Sequence, residues 1–288
     1  MAPRALERLD DLQQRTRIAP LFGVVKKFGD DRGGSLAALI TYYGFLSLFP
    51  LLLLFYTVVA FVLPHYPGAQ ADLTKSVISQ FPVIGPQLQQ NTQHPLKGSG
   101  LALIVGVVAL VWGSLGVAQI LQFTMQEVWN IPGRDRPGYV TRLLRSLLLF
   151  LVLGLGIATT TAVSGLGTIL DWGPAGSLLA ALPALVVNIG LFLLVFRLLT
   201  SSEVSLRQLV PGAVLGGIGW QVLQTVGVNL VSHQLQHASQ VYGVFGFTLA
   251  LISFLALAAT LTVYSAELNV VLAHHLWPRS LLQPSPAA

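Results

Sequence analysis

Residues 36–63 read LAALITYYGFLSLFPLLLLFYTVVAFVL, a stretch without one charged side chain. It exceeds the ~20 residues a helix needs to cross a ~30 Å hydrocarbon core. Five more runs follow, at Gly100–Gln122, Leu143–Leu170, Leu178–Leu199, Val210–Leu230 and Tyr242–Ala273. The chain of 288 residues is 53% hydrophobic and 9% charged, where a soluble domain carries roughly 25% charged residues. The expected fold is therefore all-α: a polytopic membrane protein with six transmembrane helices.

Orientation follows from Lys and Arg. The N-terminal segment holds Arg4, Arg8, Arg15, Arg17, Lys26, Lys27 and Arg32, the third connection Arg134, Arg136, Arg142 and Arg145. Arg197, Arg207 and Arg279 fall on the same side, whereas the opposite side has only Lys75 and Lys97. The positive-inside rule places both termini in the cytoplasm. A net charge of +5 then reflects topology and anionic head groups rather than nucleic-acid binding. No cysteine is present, which removes disulfides and thiolate metal sites. The late start and length of the first run argue against a cleavable signal peptide.

Three parts are expected: a cytoplasmic amphipathic segment over residues 1–35, a membrane domain over 36–275 and a short cytoplasmic Pro-containing tail over 276–288. In the first, Leu6, Leu9 and Leu12, then Ile18, Leu21, Phe22 and Val25, form a stripe interrupted near Pro20. Such a helix suits the inner leaflet surface, with Ser35 as N-cap of the first span. Pro50 should kink that span by removing a backbone donor; Ser47 or a neighbouring helix would satisfy the freed carbonyl. Residues 64–99 form the one long outer loop. Its apolar positions Leu73, Val77, Ile78 and Phe81 offer a place for a periplasmic or envelope protein partner. Gly212 and Gly216 are expected to admit a neighbouring helix closely, with Gly113, Gly116, Gly154, Gly165 and Gly167 as further small positions.

Polar side chains within spans are costly and carry the functional expectation. Gln119, Gln122 and Gln126 share one helical face, with Glu127 beside it. Thr260, Tyr264 and Glu267 share another, with Asn269 beyond. Thr41, Tyr42, Tyr43 and Ser47 come from the first span, Arg197 from the end of the fourth. The deduced topology puts all of these in the cytoplasmic half. Glu267 and Arg197 fall at similar depth and are expected to pair. The stripes fit an inward-facing polar cavity; they fit helix-to-helix hydrogen bonding equally, and pattern alone leaves both open. His233 and His237 stand at i, i+4 in an expected outer loop, without the further ligands of a metal site. No nucleophile or phosphate-binding motif occurs. Neither catalytic residues, metal nor cofactor are expected.

Several stretches resemble the YihY/BrkB family of bacterial inner-membrane proteins. They are Thr41-Tyr42-Tyr43-Gly44 through Ser47-Leu48-Phe49-Pro50, Val128-Trp129-Asn130 with Arg134-Asp135-Arg136-Pro137, Pro211-Gly212-Ala213 with Trp220-Gln221, and Val241-Tyr242-Gly243 followed by Ala266-Glu267-Leu268-Asn269. Ser265 stands in place of the usual Gly, and Thr200-Ser201-Ser202 where a Pro often follows the fourth span. The resemblance implies six helical spans in the bacterial inner membrane. It also brings a virulence label, a ribonuclease label that the scattered carboxylates argue against, and a role in moving lipids or envelope material. The expectation is thus a non-enzymatic transporter or translocation factor for a lipid or other envelope amphiphile. The alternative is a structural or docking subunit of an envelope lipid-transport complex, and ribonuclease stands third. Membrane lipids are the expected partners, without nucleic acid, and association of copies stays open.

Overall fold

The computed structural model describes residues 19–62, Gly68, 100–169, 173–200 and 204–277. The described residues are helical, without a strand: α1 (Ala19–Asp30), α2 (Gly33–Val62), α3 (Gly100–Val128), α4 (Tyr139–Ile169), α5 (Gly173–Leu199) and α6 (Leu206–His274), with a 3-10 turn at Gly133–Asp135. Within them, four stretches are long and apolar enough to cross a membrane: Tyr139–Gly156, Leu182–Leu199, Leu206–Val226 and Thr248–His274. The shorter apolar stretch Gly33–Leu48 joins them.

Helix ends follow local chemistry. Ser205 and Gln208 cap α6 reciprocally, the Ser205 amide donating to Gln208 Oε1 at 2.9 Å. At the other end His275 takes the left-handed conformation, and Leu276 N–H donates to Val271 O at 3.0 Å. Asn130 closes α3 in the same way, Ile131 N–H donating to Gln126 O at 2.8 Å. Helix α2 starts at Gly33, two residues before the cap expected at Ser35, because Arg32 at φ 53° makes the turn from α1.

The 69 helical residues of α6 contain both expected last spans, and they double back. Gly212 N–H donates to Asn269 Oδ1 at 2.6 Å, although a straight helix would separate these residues by about 85 Å. Trp220 meets Phe254 edge-on at 6.1 Å, so the reversal lies between them. The expected outer loop near His233 and His237 is helical backbone; their side chains lie outside the described residues.

Glycines let the two limbs of this hairpin and its neighbours approach. A Cβ on Gly212 would overlap the Ser265 carbonyl oxygen, and one on Gly219 the Leu261 side chain. Gly216 faces the Phe192 ring and Gly217 the Ile189 backbone, bringing α5 onto the first limb. Gly113 and Gly116 receive Pro50 and Tyr43 of α2. Gly154 has open space instead, and Gly156 contacts Leu191 in its place. Gly165 and Gly167 have side-chain positions outside the described residues. Helix α2 continues through Pro50, whose ring lies against Gly113. Ser47 donates across to Gly113 O at 2.9 Å rather than to its own helix.

Every Lys, Arg, Asp and Glu among the described residues lies at one end of the bundle. That end gathers α1, the starts of α2, α4 and α6, and the ends of α3, α5 and α6. Lys27 of α1 reaches Val128 O at the end of α3; Arg145 of α4 reaches Thr200 O after α5. Beneath it sits the main core, with Ala118, Met125, Phe196, Leu209, Ala213 and Val263 almost inaccessible. The opposite half of the described bundle carries no formal charge.

Candidate functional site

Two regions bring polar side chains together: a packed set of helix seams at the charged end, and an open groove beside it. The seams hold most residues singled out by pattern. Gln122 is inaccessible, and its Nε2 donates to Arg142 O at 3.0 Å and Ser146 Oγ at 2.9 Å, tying α3 to α4. Gln126 is buried on the same face, while Gln119 is half-buried. Asn269 ties the α6 limbs together through the Gly212 amide. Gln122 Oε1, Gln126 Nε2 and Asn269 Nδ2 are buried without a hydrogen-bond partner among the described residues. These groups line contacts between helices rather than an open passage.

Glu267 is also wholly inaccessible, and its ion partner is Lys27 of α1, with Nζ to Oε2 at 3.2 Å. This replaces the pairing with Arg197 expected from depth: Arg197 Nη1 donates to Val204 O at 2.9 Å. The same Lys27 ammonium donates to Val128 O at 2.9 Å and pairs with Asp31. Two ions taken out of water pay a desolvation cost of several kcal/mol each, offset only when pairing and hydrogen bonding are good. Here one ammonium meets two carboxylates and a helix-terminal carbonyl, favourable for a cation. The ring of Tyr264 stacks on Phe28 with centroids 4.0 Å apart, a second tie between α6 and α1.

Lys27 escaped the reading by pattern because it counts among cytoplasmic basic residues. A signal was present nonetheless: Ala19, Gly23 and Lys27 recur at i, i+4, i+8, a face of two small residues and one long one. That face is the one α1 buries, Gly23 meeting Val271 and Leu276 O. The apolar stripe faces away from the bundle at Leu21 and Val25, which are exposed. Glu127 leaves the seams altogether and pairs with Arg136 at 2.7 Å across the connection after α3. Asn188, which pattern did not single out, donates from Nδ2 to Gln221 Oε1 at 2.9 Å and joins α5 to α6.

The groove is a cavity of about 410 Å³ between α2 and the returning limb of α6. Gly34, Ala38, Tyr42 and Phe45 form one wall. Ile252, Ala256 and Thr260, one face at i, i+4, i+8, form the other. Small side chains at Gly34, Ala38 and Ala256 leave the space between two helices that otherwise pack together. Of the residues in the polar stripes, Thr41, Thr260 and Tyr42, the last at 59% exposure, line it; Ser47, Gln122, Gln126, Glu267 and Asn269 are sealed in the seams. Thr41 spends its hydroxyl on Ala37 O at 2.7 Å. The lining is thus mainly hydrocarbon, with hydroxyls at Tyr42 and Thr260. Among the described residues no three His, Asp or Glu side chains converge as metal ligands.

The family described as virulence factor BrkB matches residues 24–288, nearly all of this structure. The chain belongs to the BrkB family. It is similar to the inner membrane protein YhjD of Escherichia coli K12, 23% identical over 89% of this chain and 82% of that one. It is also similar to the putative ribonuclease-like protein YfkH of Bacillus subtilis, 26% identical over 83% and 90%. A UPF0761 membrane protein of Xanthomonas campestris is 25% identical over 81% of this chain and 56% of its own. No solved structure matches. Family and apolar helices together make the chain an integral membrane protein. The BrkB-like motifs occupy the seams and turns: Ser47-Leu48-Phe49-Pro50 against Gly113, Asn130 to Arg136 in the tied connection, Pro211-Gly212 against Glu267-Leu268-Asn269.

Proposed function

We propose that this BrkB-family protein is a six-span inner-membrane protein with both termini in the cytoplasm, and that it moves a lipid or other envelope amphiphile across or within the membrane without covalent chemistry. The groove between α2 and α6 carries the reading. It opens on the outer surface of the bundle beside the spans, where acyl chains are the solvent, and ends next to the charged end, where head groups lie. A passage for a small polar solute would instead require polar groups around a central opening, and Gln122, Gln126, Glu267 and Asn269 lie buried between helices. The orientation is supported by the gathering of all described charges at one end, with Lys and Arg in excess; the inner-membrane location is supported by the name of the Escherichia coli relative.

A ribonuclease reading follows names alone, the family's label and that of the Bacillus relative. The acidic side chains among the described residues are held in ion pairs: Asp30 by Lys26, Asp31 and Glu267 by Lys27, Glu127 by Arg136, Asp135 by Arg134. Docking of an envelope partner rests on residues 64–99, nearly all outside the described residues.

The test is purified protein in liposomes holding a fluorescent phospholipid, with leaflet exchange read by a membrane-impermeant quencher. Exchange above protein-free vesicles is expected. No exchange of any phospholipid or envelope lipid by monodisperse, correctly inserted protein would refute the reading.

A further inference from the structure

We propose that the α2–α6 groove binds one acyl chain of an anionic phospholipid from the leaflet at the charged end, and that Arg32 holds its phosphate. This rests on reading the groove as the place where an amphiphile enters, and it names the class of amphiphile.

Length is the first argument. The α2 wall extends from Gly34 to Phe45, about 16 Å at 1.5 Å per residue. That is close to half of a ~30 Å hydrocarbon core, the depth of one leaflet. The groove therefore accommodates a single chain lying along the bilayer normal and stops where the opposite leaflet begins. Its walls supply what such a chain needs: methyl and methylene surface from Ile252, Ala256 and Phe45, and no charge.

Charge at the mouth is the second argument. Arg32 directly precedes the α2 turn that contributes Gly34 to the groove. The neighbouring cations are engaged, Lys26 with Asp30 at 3.0 Å and Lys27 with Asp31 and Glu267. Arg32 is exposed, and among the described residues no protein group accepts a hydrogen bond from its guanidinium. Its backbone stands at φ 53°, a conformation that a glycine adopts at lower cost. The guanidinium fork matches a phosphate bidentately, and the positive end of the α2 dipole adds to the same side. A phosphate without its own neutralising cation gains most there, which selects an anionic head group over a choline one.

Full-length protein in nanodiscs of equimolar phosphatidylglycerol and phosphatidylcholine, released for native mass spectrometry, reads the retained lipid directly. One tightly held phosphatidylglycerol is expected, enriched about tenfold, the scale of a charge-assisted hydrogen bond. Arg32→Gln should abolish the enrichment and Arg32→Lys, which keeps the charge but loses the bidentate fork, retain only part of it. Ala256→Trp or Ala38→Trp should displace both lipids while the protein stays monodisperse. The proposal is overturned if wild type shows no preference, if Arg32→Gln retains it, if inorganic phosphate displaces the lipid, or if a second copy of the chain fills the groove. Selective binding without leaflet exchange would sink the transport reading alone; exchange without anionic preference would sink this one alone.

Discussion

The helix seams at the charged end and the groove beside them are built from similar helices, yet they treat polarity in opposite ways. In the seams, Gln122, Asn269 and Glu267 are sealed and joined to Ser146, the Gly212 amide and Lys27. In the groove, Tyr42 and Thr260 lie in an opening made by small side chains. The lesson is that a polar stripe within a span reads as a passage only when nothing across from it accepts its hydrogen bonds. Membrane helices have little hydrophobic force to hold them together, so close glycine contacts and polar ties do that work.

The contrast predicts that seam variants lose stability whereas groove variants lose only lipid handling. The largest effect belongs to Lys27→Ala, which leaves Glu267 buried without its counter-ion at a cost of about 3–5 kcal/mol. Thermal unfolding in detergent should show a strongly lowered Tm. The double variant Lys27→Met with Glu267→Gln should recover much of the loss, and no recovery would mean that the pair is not the tie described. Glu267→Ala or Glu267→Gln alone should therefore act through folding rather than as a lost transport group.

Next comes Gly212→Ala. Its Cβ must displace the Ser265 carbonyl and the Asn269 side chain, an overpacking cost of about 1–3 kcal/mol. Ala at Gly154, where space is open, should leave Tm unchanged. Smaller again is Ser146→Ala, which removes one inter-helix hydrogen bond at about 0.6 kcal/mol. The smallest effect on Tm is expected for Thr260→Val in the groove, a similar volume on a partly exposed wall. Equal losses at seam and groove would erase the distinction.

Much of this architecture is legible in the chain. The described residues of all six apolar runs are helical, and Gly212 and Gly216 do admit close neighbours. Depth along a span was legible too, because charge asymmetry orders the runs, and it correctly brings the Gln stripe and Glu267 to one end. Rotation about a helix axis was not. Gln122 and Tyr42 are both polar residues on apolar helices, and only the neighbouring helix decides which is sealed. The partner of Glu267 was missed for a related reason: Lys27 lies outside the spans and returns to them through α1, a tertiary contact that periodicity cannot encode. Pro50 shows the same limit, since Gly113 receives its ring from another helix.

The central claim is that lipid engages the groove and not the polar seams, and leaflet exchange in proteoliposomes tests it most directly. Ala256→Trp fills the groove and Ser146→Ala weakens a seam. The account predicts that Ala256→Trp keeps the wild-type Tm and loses exchange, while Ser146→Ala loses some Tm and keeps exchange. Full exchange by Ala256→Trp, together with its loss in Ser146→Ala protein that remains folded, would contradict it.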